Sequence, residues 1–136
     1  TDLSRSGRTL HQAVTMASLV EEESRHEDER PVVAGILWKR EEAGTILGVD
    51  ATVRYIVGKP SAALTVTDLD TASPYNTRKV AGLPPGPIAN PGVSAIVAAL
   101  QPQASEYWYY LHGTDGMIHY ARTNDEHNAN KARYLR

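Results

Sequence analysis

The chain has 136 residues, with 14 Lys and Arg against 16 Asp and Glu and a formal net charge of −2. That length suits one domain, and the charge balance leaves no basic stripe for nucleic acid. Cysteine is absent, which excludes disulfides, thiolate metal sites and a cysteine nucleophile. No stretch approaches the roughly 20 apolar residues of a membrane span.

Residues 1–7 are polar and are expected to fray. Residues 9–23, TLHQAVTMASLVEEE, predict a helix. Thr9 and Gln12 have capping-box spacing, and Leu10, Ala13, Val14, Ala17 and Val20 recur at the spacing of a buried helical face. On that wheel Glu21 lies about 20° from Leu10, inside the apolar stripe, whereas Glu22 points about 120° away. A carboxylate on a core-facing stripe is costly when ionised and unpaired. Two readings stay open. Glu21 either pairs with Arg25, Arg30 or Arg40, or is kept protonated by burial for proton transfer, the environment of a glycosidase general acid.

Asp28 is expected to cap a second helix with Pro31 in its first turn and Val32, Val33, Ile36, Leu37 and Arg40 on one face. Gly44 is its expected stop. In residues 47–58 the alternation of Val49, Ala51 and Val53 with Asp50, Thr52 and Arg54 suggests a strand, and a short helix over 51–57 is the rival. Residues 67–69 predict a helical turn. Pro84, Pro85, Pro87 and Pro91 make residues 82–92, GLPPGPIANPG, a stiff extended loop. Asn90 and Pro91 then predict the cap and first turn of a helix over 92–100, ended by Pro102. Residues 106–111 and 117–121 read as a hairpin joined by HGTDG, and Thr123 with Glu126 as a capping box for a C-terminal helix. This order predicts an α+β fold, one domain over residues 1–136.

Several groups could carry chemistry. Ser73-Pro74-Tyr75-Asn76-Thr77 sets hydroxyls and an amide on a Pro-fixed loop, suited to sugar hydroxyls or an N-acetyl group, although Asn and Ser also serve local turns. Tyr107, Trp108, Tyr109 and Tyr110 alternate on a strand, so two of the four share a face. That face could stack on sugars or fill a core. His119, Glu126 and His127 invite a zinc reading, but HExxH spacing is absent and no metal site is assigned. No phosphate-binding glycine loop and no GxSxG elbow occur.

Taken together, ASLVEEE (residues 17–23), Glu29-Arg30, VDATV (49–53), SPYNT (73–77), GLPPGPIANPG (82–92) and EHN (126–128) closely resemble the MltG/YceG-like endolytic murein transglycosylase family. The resemblance implies that Glu21 is the catalytic residue of the motif Ala-Ser-Ile-Val-Glu-x-Glu. It implies substrate contacts at Glu23, Arg40, Asp50, Ser73, Tyr75, Asn76, Thr77 and His127, with no cofactor. Lys39, Gly48, Ala51 and Arg78 depart from the usual Asn, Gln, Pro and aromatic residue. The implied activity is cleavage inside peptidoglycan glycan strands at the β-1,4 bond between N-acetylmuramic acid and N-acetylglucosamine, leaving a 1,6-anhydro end.

The family implies a site at the extracytoplasmic face of the bacterial inner membrane, near peptidoglycan synthases. It also implies a membrane anchor and a LysM-like region ahead of the catalytic part. This chain, beginning at Thr1, is expected to be the soluble catalytic domain alone. Two rivals are lysozyme-like hydrolysis with Asp50 as second carboxylate, and a non-catalytic glycan-binding module using Tyr75 and one face of residues 107–110. On the catalytic reading, Glu21 is expected on the floor of an open groove walled by SPYNT and the proline loop.

Overall fold

The computed structural model describes residues 2–135 and has an α+β fold, helices with one two-stranded antiparallel sheet. The chain forms two compact units, Thr1–Gln103 and Ala104–Arg136. Among the described residues no helix is long and apolar enough to cross a membrane.

In the first unit the polar start forms a short helix, α1 (Asp2–Ser6), which buries no residue. The capping box at Thr9 forms as read: Thr9 Oγ1 accepts from Gln12 N, and Gln12 Oε1 accepts from Thr9 N. It opens α2 (Leu10–Glu23). The buried face of α2 is not centred where the wheel put it. Leu10 is 66% exposed, while Met16, Ala17, Leu19 and Val20 are fully buried. The core face therefore runs through the middle of the helix, and Glu21 sits at its rim.

Next comes a 3-10 turn, Glu27–Glu29, leading into α3 (Arg30–Glu42). Asp28 does not cap this helix. Glu29 does the local work instead: its buried carboxylate accepts from the backbone N–H groups of Arg25 and His26. Val33, Ile36 and Leu37 are buried as expected. The helix stops at Gly44, whose φ of 72° is the left-handed conformation that glycine adopts without strain.

Residues 50–57 form a helix, α4 (Asp50–Val57), which overturns the strand reading and bears out its rival, the short helix over 51–57. Thr52 should face solvent in a strand that buries Ala51 and Val53, yet all three are buried. The apparent alternation was a run of consecutive buried positions at a helix start. Thr52 Oγ1 donates to the Val49 carbonyl, and Gly58, at φ 69°, closes the other end. The helical turn read near residue 67 is α5 (Val66–Leu69).

The helix after the proline loop is α6 (Val93–Leu100), with Gly92 rather than Asn90 at its N-cap. The Gly92 N–H is taken by a side chain from α2, so tertiary contact sets this helix start. α2, α3 and α6 pack on one another. Ala17 of α2 and Ala95, Ala98 and Ala99 of α6 are all buried, and such small residues let helix axes approach closely. Trp38, 3% exposed, donates its indole N–H to the Ala99 carbonyl at 3.0 Å.

In the second unit β1 (Tyr109–His112) pairs with β2 (Ile118–Ala121), Tyr109 opposite Ala121 and His112 opposite Ile118. α7 (Asn124–Tyr134) follows, capped by Thr123 Oγ1 on the Glu126 N–H. In place of the reciprocal half of the expected capping box, the Glu126 carboxylate accepts from the Thr123 hydroxyl at 3.4 Å and lies 3.8 Å from Arg122 Nε.

Candidate functional site

One stripe of α2 carries the proline loop. His11 Nε2 donates to the Pro85 carbonyl at 2.6 Å. Ser18 Oγ accepts from the Ile88 N–H at 3.1 Å and donates to the Thr15 carbonyl at 2.6 Å. Glu21 Oε1 accepts from the Gly92 N–H at 2.8 Å. Residues 11, 18 and 21 lie on one side of a 3.6-residue helix. Proline removes backbone donors from the loop, so its few remaining N–H groups matter. Two of them, at Ile88 and Gly92, go to side chains of α2.

Glu21 has a second partner. Its Oε2 lies 3.2 Å from Arg30 Nη2, with the two side chains 27% and 20% exposed. Of the two readings left open for Glu21, the ion pair is the one that forms, and Arg30 is the partner among the three arginines. Arg30 Nε also donates to Ser24 Oγ, and Ser24 Oγ donates to the Val20 carbonyl. The guanidinium is thus held against the last turn of α2. A Cβ at residue 92 would come 3.2 Å from Glu21 Oε1, so a glycine there suits the close approach. Glu21 is fixed at both oxygens and still reaches solvent.

SPYNT divides between shape and surface. Asn76 is fully buried. Its Nδ2 donates to the carbonyls of Leu69 and Thr71, and its Oδ1 accepts from the Arg78 N–H. Thr77 is buried too: its Oγ1 accepts from the Val49 N–H and lies 2.9 Å from Thr52 Oγ1. These two side chains spend their hydrogen bonds on fixing the loop to the start of α4. Ser73 Oγ accepts from the Tyr75 N–H. Tyr75 faces outward from this frame. Its ring lies 5.3 Å from that of Tyr55, and its hydroxyl lies so close to Gly86 that a Cβ there would be 3.3 Å away. SPYNT and the proline loop therefore meet at Tyr75 and Gly86.

Replacing Asn76 with Ala is expected to cost about 2 kcal/mol, because a buried amide is lost and two part-buried carbonyls lose their donors. Urea denaturation followed by tryptophan fluorescence in a Trp108→Phe background, where Trp38 alone emits, measures it. A loss below about 1 kcal/mol would mean that water replaces the amide.

Asp50, at the start of α4, pairs with Arg78 at 3.0 Å. Arg40 Nη1 donates to the Leu47 carbonyl at 2.8 Å. Glu23, half-buried, ends α2. His127 belongs to the second unit, where its ring stacks on Tyr109 at 5.0 Å. His119 stacks on Tyr134 at 3.4 Å and binds Asp115 at 2.9 Å. The two histidines thus have different partners. The Met117 N–H, and after it His119, hold the Asp115 carboxyl below the usual carboxylate range. Tyr107 stacks on Tyr120 at 5.1 Å.

The structure thus ties Glu21 to the proline loop and ties Tyr75, through Gly86, to the same loop. His11, Ser18 and Gly92 were not singled out from sequence. The signal for them was the seven-residue spacing of His11 and Ser18 on the helix that carries Glu21.

A model of the YceG-like family matches residues 1–133. The chain is 38% identical over 134 residues to an endolytic murein transglycosylase of Bacillus subtilis, covering 98% of this chain and 37% of that protein. It is 29% identical over 133 residues to the endolytic murein transglycosylase of Streptococcus pneumoniae serotype 2, covering 93% of this chain and 24% of that one. The crystal structure of a putative YceG-like protein from Listeria monocytogenes superposes with a TM-score of 0.89 at 38% identity, over 94% of this chain and 42% of that chain. The chain spans well under half the length of each of these proteins. With residues 1–133 matched and the fold reproduced at this identity, the chain belongs to the YceG-like family.

Proposed function

We propose that this chain is the catalytic part of an endolytic murein transglycosylase. It cuts the β-1,4 bond between N-acetylmuramic acid and N-acetylglucosamine and leaves a 1,6-anhydro end. The observation that carries the reading is Glu21. It is a partly exposed carboxyl on the motif helix, gripped by the Gly92 N–H on one oxygen and Arg30 on the other.

In its acid form Glu21 gives a proton to the glycosidic oxygen as the bond from that oxygen to C1 breaks. The C6 hydroxyl of the same muramyl residue attacks C1 and returns its proton to Glu21. One carboxyl serves as acid and then base, and no water is consumed. The attacking hydroxyl belongs to the substrate, so proximity favours it over solvent. Gly92 N–H and Arg30 meet the negative charge that Glu21 acquires on giving up its proton, a fixed electrostatic contribution to the transition state. Tyr75 and the polar rim of SPYNT would position the sugar, while Asn76 and Thr77 would act through the shape of that loop.

Asp50, the second carboxylate that hydrolysis would call on, is engaged with Arg78. This favours the single-carboxyl route over a lysozyme-like one. Peptidoglycan glycan strands are the substrate on this reading. The setting is the extracytoplasmic face of the cell membrane, with peptidoglycan synthases as neighbouring partners.

Mass spectrometry of murein digested by the protein tests the proposal. Fragments ending in 1,6-anhydromuramic acid are expected. Reducing ends without anhydro ends would make the protein a hydrolase, and saturable binding of glycan without cleavage would make it a binding module.

A further inference from the structure

Beside the last turn of α2 the first unit carries a pocket of about 290 Å³, walled in part by Glu22, Tyr55, Pro60 and Ile88. Its walls are held in place by bonds of their own, and Arg54 is one of the walls. Ile88 is fixed through its N–H on Ser18 Oγ. Arg54 Nη1 donates to the carbonyls of Lys59 and Ala62, which secures the segment bearing Pro60. Tyr55 is 51% exposed, yet its ring leans on that of Tyr75, which in turn lies against Gly86. An exposed aromatic ring braced by a second ring is pre-ordered, so a ligand stacking on it would lose little side-chain entropy.

The polar contribution comes from Glu22. This residue follows Glu21 in sequence, and its side chain has no hydrogen bond or ion pair with another described residue. The combination selects a ligand. Glu22 and Arg54 give the lining one charge of each sign, so the pocket suits a neutral polar ligand rather than an ion of either sign. One aromatic face with Pro60 and Ile88 suits the apolar face of a sugar ring, and Glu22 can accept from a hydroxyl or amide N–H. The volume is at the small end for ligand pockets, which suits one ring with its substituents.

We propose that this pocket is a glycan subsite flanking Glu21, in which Tyr55 stacks on an N-acetylated sugar ring and Glu22 accepts a hydrogen bond from it. The proposal rests on the glycan-cleaving reading and adds where the strand is gripped. It also gives Glu22 a role separate from the chemistry of its neighbour.

Titration of the isotopically labelled chain with an N-acetylglucosamine tetramer tests it. Amide signals of Tyr55, Gly58 and Ile88 are expected to shift and saturate. Tyr55→Ala should weaken binding by roughly tenfold through loss of the stacking face. Tyr55→Phe, which keeps the ring, should bind within about twofold of the unaltered chain. Should Tyr55→Ala fail to fold, the shift map and Tyr55→Phe carry the decision. Unmoved signals at those three positions overturn the proposal, as does undiminished binding by a folded Tyr55→Ala. So does displacement of the tetramer by a free stem peptide at the same signals.

The two readings fail separately. Murein cleavage to anhydro ends that survives Tyr55→Ala with unchanged KM removes the subsite and leaves the role of Glu21 standing. Binding that depends on Tyr55 with no cleavage upholds the subsite and removes the lytic activity.

Discussion

Replacing Glu21 with Gln is expected to lower the rate of murein cleavage by about 10²–10⁴-fold, the usual worth of a positioned general acid–base. The fold should survive. The substitution changes almost no volume, and the amide oxygen can still accept from the Gly92 N–H, now 2.8 Å from Oε1. What it cannot do is serve both neighbours. The amide nitrogen would face Arg30, now 3.2 Å from Oε2, and two donors do not bond. A loss of about 1 kcal/mol of stability is therefore expected beside the large loss of rate. Mass spectrometry of digested murein, with urea denaturation as the control for folding, separates the two effects. A folded Glu21→Gln variant that cuts at the unaltered rate would take the acid role away from this residue.

Gly35→Ala should be the most damaging small substitution in the first unit. A Cβ there would collide with the Gln103 carbonyl oxygen and sit 3.1 Å from its carbon. Both are backbone atoms that no rotamer change can remove. The Gln103 N–H also bonds the Pro31 carbonyl at 2.9 Å, so the segment after α6 is clamped to the first turn of α3. Alanine would add about 1 kcal/mol of helix propensity at an ordinary helical glycine. Relieving a backbone collision costs more, typically about 1–3 kcal/mol and sometimes beyond. Because both atoms are backbone, the cost is expected at the upper end, about 3 kcal/mol, which leaves a net loss of about 2 kcal/mol, or roughly 5–10 °C in Tm. With Trp108 replaced by Phe, Trp38 fluorescence reports it, because its indole is bound to the Ala99 carbonyl in the same packing. A Gly35→Ala variant as stable as the original chain would mean that α3 and the Gln103 backbone can move apart at little cost.

Local chemistry determined a good part of this protein. The capping box at Thr9, the stop at Gly44, the stiffness of residues 82–92 and the hairpin follow from side chains acting on their own backbone within a few residues. So they could be read from the chain alone. The motifs ASLVEEE, SPYNT and GLPPGPIANPG were legible for the same reason. Each is a continuous segment, and together they pointed to the family that the matched residues 1–133 bear out.

Tertiary packing decided the rest. Residues 50–57 alternate like a strand but lie against the core as a helix, because burial at successive positions outweighs a weak two-residue period. Leu10 looked like an anchor of the core and is 66% exposed. The direction of a helical face depends on what packs against it, and the wheel does not contain that. Gly92 rather than Asn90 caps α6, because the Gly92 N–H has a partner 71 residues earlier in the chain. Asn76 read as a group for ligands and spends its amide on the carbonyls of Leu69 and Thr71. The choice of Arg30 from three arginines as the partner of Glu21 belongs here as well. An ion pair is set by where helices end in space, and only the packing of α2 against α3 brings those two side chains to 3.2 Å.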